Sequence, residues 1–277
     1  MTAIEKWPGG ARCAVLLTIN LDAEQFWLGM FPESITRPKT LSMGEYGIKR
    51  GLDRVLYTLR QYQIRTTFFV PGLVAQNYPQ AIEKIMADGH ELALHGHTHT
   101  GMAQLSQAEQ REELERGKEA LRRLSGIDPV GFRAPEGELT LETLELAQEQ
   151  GFCYSSSLYD EDRPYWLSLP SDKRLLEIPM HWELHDFPYF AFNYGPAFPI
   201  AQSRVSSYSQ VTKTYQHEFD GYYRYGLAYV AQFTPQTIGS PGKIKILEDV
   251  LAYITQTPEL WIGTCGELAQ WCQSQGI

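Results

Sequence analysis

Short apolar runs of strand length return along most of this chain, with stretches of helical apolar spacing between them, and no other feature limits the possible folds as much. The first run, residues 13–21, is almost continuously apolar behind the turn signal Gly9-Gly10, the pattern of a strand buried on both faces. Residues 66–70, 152–158, 175–180, 227–233 and 259–263 read as further strands, as do the segments that begin at Glu91 and Val130. Helices are expected at 52–62, where Leu52, Val55, Leu56 and Leu59 form a stripe, and at 73–87, 106–124, 140–150 and 244–254, with a short one reaching Cys272. Ser106-Gln107-Ala108-Glu109 has the pattern of a capping box. About eight strands alternating with helices argue for one α/β domain over residues 1–277, its parallel sheet closed, or nearly closed, into a barrel.

Composition narrows the function classes. A net charge of −9 and a pI near 5.3 leave no clustered Lys and Arg for phosphate contacts, so nucleic acid is not an expected partner. The first ten residues hold no apolar core of signal-peptide length and no run approaches a membrane span, so a cytoplasmic protein with no membrane association is expected. Cys13, Cys153, Cys265 and Cys272 are scattered without CxxC spacing and read as structural thiols.

Candidate chemistry gathers in the segment Glu91-Leu92-Ala93-Leu94-His95-Gly96-His97-Thr98-His99, which ends in three histidines. Imidazoles that converge at a strand end suit a transition metal. A strand continuing through Thr98 would put His95, His97 and His99 on one face; a helical turn after Gly96 would pair His95 with His99 at i and i+4. Asp22 follows the first strand, where α/β proteins place their chemistry, although a turn or capping role would suit it as well. Residues 25–47 read as a long connection rich in aromatics, Trp27 among them, able to line a substrate cleft or cover a subunit interface. Arg133, just before Ala134-Pro135, is expected to orient a carboxylate through a bidentate bond. An acidic and aromatic loop at 159–166 holds Asp160, and aromatics alternate with polar groups at 181–190, where Trp182 lies; both suit a ligand pocket. Residues 191–220 show no pattern beyond loop and a possible short helix.

Together these segments resemble the polysaccharide deacetylase superfamily, also called the NodB-homology or carbohydrate esterase four group, over most of its domain. Residues 65–72, Arg-Thr-Thr-Phe-Phe-Val-Pro-Gly, and the segment 89–99 look most like its branch of intracellular allantoinase-like, cyclic-imidase-like and peptidoglycan-deacetylase-like proteins. The resemblance implies a distorted (β/α) barrel with about seven or eight parallel strands and one divalent metal at its C-terminal mouth. It implies Asp22, His95 and His99 as the metal ligands, which selects the second geometry and leaves His97 between them. Arg133-Ala134-Pro135 matches the family's arginine motif, and residues 155–165 look like the branch's acidic loop.

Three positions depart from the family. The catalytic Asp that precedes the metal Asp in sugar deacetylases is Leu21 here, and a carboxylate found two residues before it in some members is Asn20. The late catalytic histidine falls on Thr234, whose hydroxyl is no proton donor of comparable pKa. What remains is metal-centred: zinc on two His and one Asp keeps a position open for water and lowers its pKa to about 7. Glu24 and Glu136 are the candidate bases, and Arg133 or a backbone donor would face the oxyanion. The leading expectation is therefore a metal-dependent hydrolase of a non-peptide C–N bond in a small molecule, a cyclic imide or ureide or a linear N-acyl compound, and a homo-oligomer. An N-deacetylase of an amino sugar or peptidoglycan-type substrate is the alternative, and a metal-holding binding protein without turnover is the third.

Overall fold

The computed structural model describes residues 6–136, 138–170, 173–190 and 206–276. In chain order the first half runs β1 (Cys13–Asn20), α1 (Gln25–Met30), α2 (Pro38–Tyr46), α3 (Leu52–Gln61), β2 (Thr67–Val70), α4 (Gly72–Asn77), α5 (Pro79–Ala87), β3 (Glu91–Leu94), α6 (Gln107–Ser125) and β4 (Gly131–Phe132). The second half runs α7 (Leu141–Glu149), β5 (Tyr154–Ser155), β6 (Tyr165–Ser168), β7 (Arg174–Glu177), α8 (Phe187–Phe190), α9 (Tyr208–Tyr225), β8 (Ala228–Phe233), α10 (Pro235–Ile238), α11 (Ile244–Thr255), β9 (Leu260–Gly263) and α12 (Cys265–Gln275).

The nine strands form one curled sheet in the order β6-β7-β5-β4-β3-β2-β1-β8, with β9 beside β1. Eight run parallel and β6 alone is antiparallel, to β7. This is the expected barrel, and its gap lies between the β6–β7 pair and β8. The bridge between His185 and Gln232 spans that gap, with Asp186 N donating to Gln232 O at 3.2 Å, and Ala228 N at the start of β8 donates across it to Asp162 O, also at 3.2 Å.

β1 explains why its sequence is apolar on both faces. Along one edge it pairs with β8; along the other its first half pairs with β9 and its second half with β2. Cys13, Val15, Leu17, Ile19 and Leu21 face the helices, whereas Ala14 and Leu16 pack inside the sheet with Phe69, Ala93, Tyr154 and Val230, over the plug made by α12. Period two then carries Thr18, Asn20 and Asp22 up the inner side. The lining thus turns from apolar to polar toward the C-terminal mouth.

Several expected elements differ. Residues 25–47 are largely helical, and α2 passes through a π turn at Gly47–Gly51 directly into α3. The helix expected at 73–87 is two helices broken before Pro79, which lacks the N–H to continue α4 and starts α5 instead. The strand expected at 152–158 stops after Ser155, because the Glu177 carboxylate rather than a neighbouring strand accepts from Ser157 N at 2.6 Å and Leu158 N at 2.9 Å. Strand β6 begins inside the stretch read as an acidic loop. Residues 191–205 lie outside the described residues, but α9 is an 18-residue helix where only a possible short one was expected; it buries Val211, Tyr215, Phe219 and Tyr222. The capping box at Ser106 and Glu109 is present.

Candidate metal centre

The histidine segment takes neither of the two geometries expected of it. β3 ends at Leu94, and the chain then turns left-handed at Gly96 (φ +71°) and again at His99 (φ +64°). Gly72 N donates to Gly96 O and Leu73 N to His97 O, both at 2.9 Å, so the start of α4 holds the loop from one side. From the other, Glu113 of α6 accepts from His97 N, Thr98 N and Thr98 Oγ1, each at 2.8 Å. The sequence offered no signal for Glu113, which reads there as one more solvated helix charge. These ties turn His97 away from the cluster, buried with its Nδ1 beside Gly72, and bring the His95 and His99 rings to 4.9 Å, edge to face.

Donor atoms of Asp22, His95, His99 and Glu136 all lie within 4.8 Å of one another. His95 Nε2 stands 3.6 Å and His99 Nε2 3.7 Å from Asp22 Oδ1; Glu136 Oε2 is 3.7 Å and 2.8 Å from the same two nitrogens. Donors ~2.0–2.2 Å from a tetrahedral cation would stand about 3.3–3.5 Å apart, so the spread suits a shared ion. Among the described residues both Asp22 oxygens are buried without a hydrogen-bond partner, and His99 Nε2 and Glu136 Oε2 have only each other. Such orphaned buried groups are costly unless a cation satisfies them, and the two-imidazole, two-carboxylate set fits a divalent transition metal.

The charges tell the same story. Burial pushes Asp22 up to about 8, with Glu136 adding to the rise and His99 opposing it. Burial also works against a charged Glu136, yet His99 and His95 hold its carboxyl well below the usual range. For His99 burial favours the neutral ring, and Glu136 with Asp22 outweighs it. His95 is lowered, burial being the main cause. Its Nδ1 lies 2.9 Å from the Arg133 carbonyl, which can only accept, so Nδ1 carries the proton and the Nε2 lone pair faces the cluster.

A cleft of about 210 Å³ opens beside the cluster, lined among others by Asn20, Arg133, Glu136, Tyr159, His185 and Gln232. Arg133 does not orient a carboxylate. Its guanidinium, 1% exposed, lies 3.9 Å over the Phe69 ring and donates to Ser156 O and Oγ, Thr18 Oγ1, Asn20 Oδ1 and Gln232 Oε1, all neutral acceptors. Burial lowers it to about 10, so it stays charged at neutral pH.

The remaining expected residues spread out. Glu24 lies outside the four-group cluster, its carboxylate accepting from the Tyr78 phenol at 2.9 Å, because it opens α1 rather than following Asp22 into the mouth. Trp27 is buried against Phe26 and Phe187 and lines a separate cavity of about 300 Å³ with Met43 and Tyr46. Asp160 is exposed and accepts from the Tyr165 phenol at 2.6 Å. Trp182, 56% exposed, stacks on His181 and meets Tyr159 edge-on at the cleft rim. Thr234 donates its Oγ1 to Asp186 at 2.9 Å, one of a buried set of bonds around that carboxylate. The unforeseen cleft residue of that region is His185, which the sequence passed over for the larger Trp182; its Nε2 is 2.7 Å from Gln232 Nε2, and burial takes it down to about 4.

Known proteins share this arrangement of strands. The polysaccharide deacetylase sequence profile matches residues 42–155. The crystal structure of a Mycobacterium smegmatis protein assigned as a polysaccharide deacetylase is 32% identical, with a TM-score of 0.92 over 98% of this chain and 94% of that one. A peptidoglycan deacetylase of Helicobacter pylori is 26% identical over 197 residues, 63% of this chain and 67% of the other. The crystal structure of an allantoinase, 23% identical, shares the fold with a TM-score of 0.84 over 97% of this chain and 92% of that one.

Proposed function

Because the chain belongs to the polysaccharide deacetylase family, we propose that it hydrolyses the N-acetyl group of an amino sugar, with Asp22, His95 and His99 holding a divalent cation, zinc foremost. The named relatives weigh toward this reading and away from the cyclic imide or ureide that the sequence put first, since the allantoinase likeness concerns the fold alone. The observation that carries the proposal is the buried four-group cluster beside a polar cleft, with both Asp22 oxygens left without a partner among the described residues. A bound cation would supply Lewis acidity and a water of lowered pKa.

Glu136 takes the base role assigned by sequence first to Glu24. It is 21% exposed where Asp22, His95 and His99 are at most 1% exposed, so it is the member of the cluster that faces the cleft and can move. It receives the proton as the water oxygen bonds to the acetyl carbon, and passes it to the nitrogen as the C–N bond breaks, leaving acetate and a free amine. A homo-oligomer and a cytoplasmic setting belong to the same proposal.

The test is hydrolysis by zinc-reconstituted protein of chitooligosaccharides and peptidoglycan fragments, beside allantoin and cyclic imides, each with and without chelator. Acetate release that chelator abolishes is the expected result. Turnover confined to cyclic substrates, or turnover indifferent to metal, would sink it.

A further inference from the structure

The Arg133 guanidinium fixes which way two buried side-chain amides point. Arginine only donates, so Asn20 Oδ1 at 3.0 Å and Gln232 Oε1 at 3.1 Å must be the oxygens. Each amide therefore turns its NH₂ away from Arg133, Gln232 toward His185 and Asn20 toward the metal cluster. Asn20 Nδ2 lies 3.0 Å from His95 Nε2 and donates to the lone pair that Nδ1 protonation leaves there.

That lone pair cannot serve two partners. A cation held at the cluster would take it, and Arg133, itself fixed by Ser156 and Thr18, keeps the Asn20 amide from flipping. Asn20 is 1% exposed and lines the cleft, so the released N–H can be met only from the cleft side. A buried donor without an acceptor is costly, and an oxygen presented from the cleft would satisfy it.

Resting on the proposed deacetylation, we propose that Asn20 is a catalytic residue whose amide N–H donates to the substrate carbonyl oxygen as it becomes an oxyanion, with Arg133 as the residue that positions it. The position that could have held a base is thereby a hydrogen-bond donor. Fixed donors of this kind act mainly on the transition state.

The experiment uses zinc-loaded protein with Asn20→Ala and Asn20→Asp, the second keeping the bond from Arg133 while removing the N–H. Calorimetry with methylphosphonate, a tetrahedral anion, is read beside zinc affinity and the kinetics of chitooligosaccharide deacetylation. Both variants are expected to lose about 10²–10³-fold in kcat with little change in KM, and methylphosphonate affinity should fall at least tenfold while Asn20→Ala keeps its zinc affinity within about threefold. Unchanged methylphosphonate binding in Asn20→Ala, no binding by the wild type, or Asn20→Asp turning over faster than wild type would overturn the inference. If the wild type binds methylphosphonate through Asn20 yet releases no acetate, the donor stands and the deacetylase reading falls; normal deacetylation by Asn20→Ala does the reverse.

Discussion

Glu136 separates binding from chemistry more cleanly than any other side chain of the cluster. Replacing it by Gln keeps a neutral oxygen near His99 but removes the proton acceptor, so zinc affinity should fall by no more than about tenfold while kcat drops 10²–10⁴-fold, roughly the worth of a general base. Metal analysis beside steady-state kinetics checks this, and equal losses in both would make Glu136 a ligand only. Clustered histidines at a strand end pointed to a metal, while the choice of Asp22, His95 and His99 came from the family resemblance; the structure brings these three together with Glu136. The sequence misdirected on Glu24, two residues from Asp22, because proximity along the chain says nothing once a helix begins at Gln25. Arg133 was singled out for the right reason, an arginine with no packing excuse, and the wrong partner: its acceptors come from β1, β8 and the segment after β5, far away in sequence.

Among elements, the loop between β3 and α6 depends most on a contact that no local pattern betrays. Three hydrogen bonds from residues 97 and 98 end on the Glu113 carboxylate, and two of them come from backbone N–H groups. Glu113→Ala leaves those groups without a protein acceptor. The variant should lose about 2–3 kcal/mol of stability by denaturant titration and at least tenfold in zinc affinity, because the left-handed turns at Gly96 and His99 are held by these bonds. Zinc affinity equal to wild type would show that the loop holds its shape without Glu113. The close seat of α1 on the same loop adds to the constraint, since a Cβ at Gly29 would stand 2.1 Å from the His99 carbonyl oxygen. Elements with strong periodicity, such as α3 and α6, were legible from sequence. The six-residue α1 and the tyrosine-rich α9 were not, one being too short to show a period and the other carrying aromatics on both faces.

For the whole molecule, alternating strands and helices gave away the barrel, while the antiparallel β6 and the gap beside β8 depend on pairings that sequence order does not predict. At the N-terminal end of the sheet, His90 is a sensor of overall stability. Its Nδ1 accepts from Thr66 N at 3.2 Å, and burial is the main reason its pKa falls to about 4, the Asp88 charge only partly restoring it. Between that value and the ordinary 6.5, the unfolded chain binds more protons at this site than the folded one. The stability it contributes is therefore full above pH 6.5 and is lost as the pH falls through 6.5 toward 4. His90→Asn, which keeps an acceptor near Nδ1 and cannot titrate, should make the melting temperature fall less steeply over that window, the remainder being carried in part by His185; an unchanged acid slope would refute the assignment. The bridge between His185 and Gln232 bears on something other than stability. The strands hold the Asp22, His95, His99 and Glu136 cluster, but the two edges meet only at short backbone contacts among the described residues, His185 to Gln232 and Ala228 to Asp162, and the chain beside the first of these supplies cleft walls. Changes of loop length there would reshape the cleft walls while the pairings of β1, β2 and β3, whose ends carry Asp22, His95 and His99, stay as they are, so the walls and the cluster can vary independently.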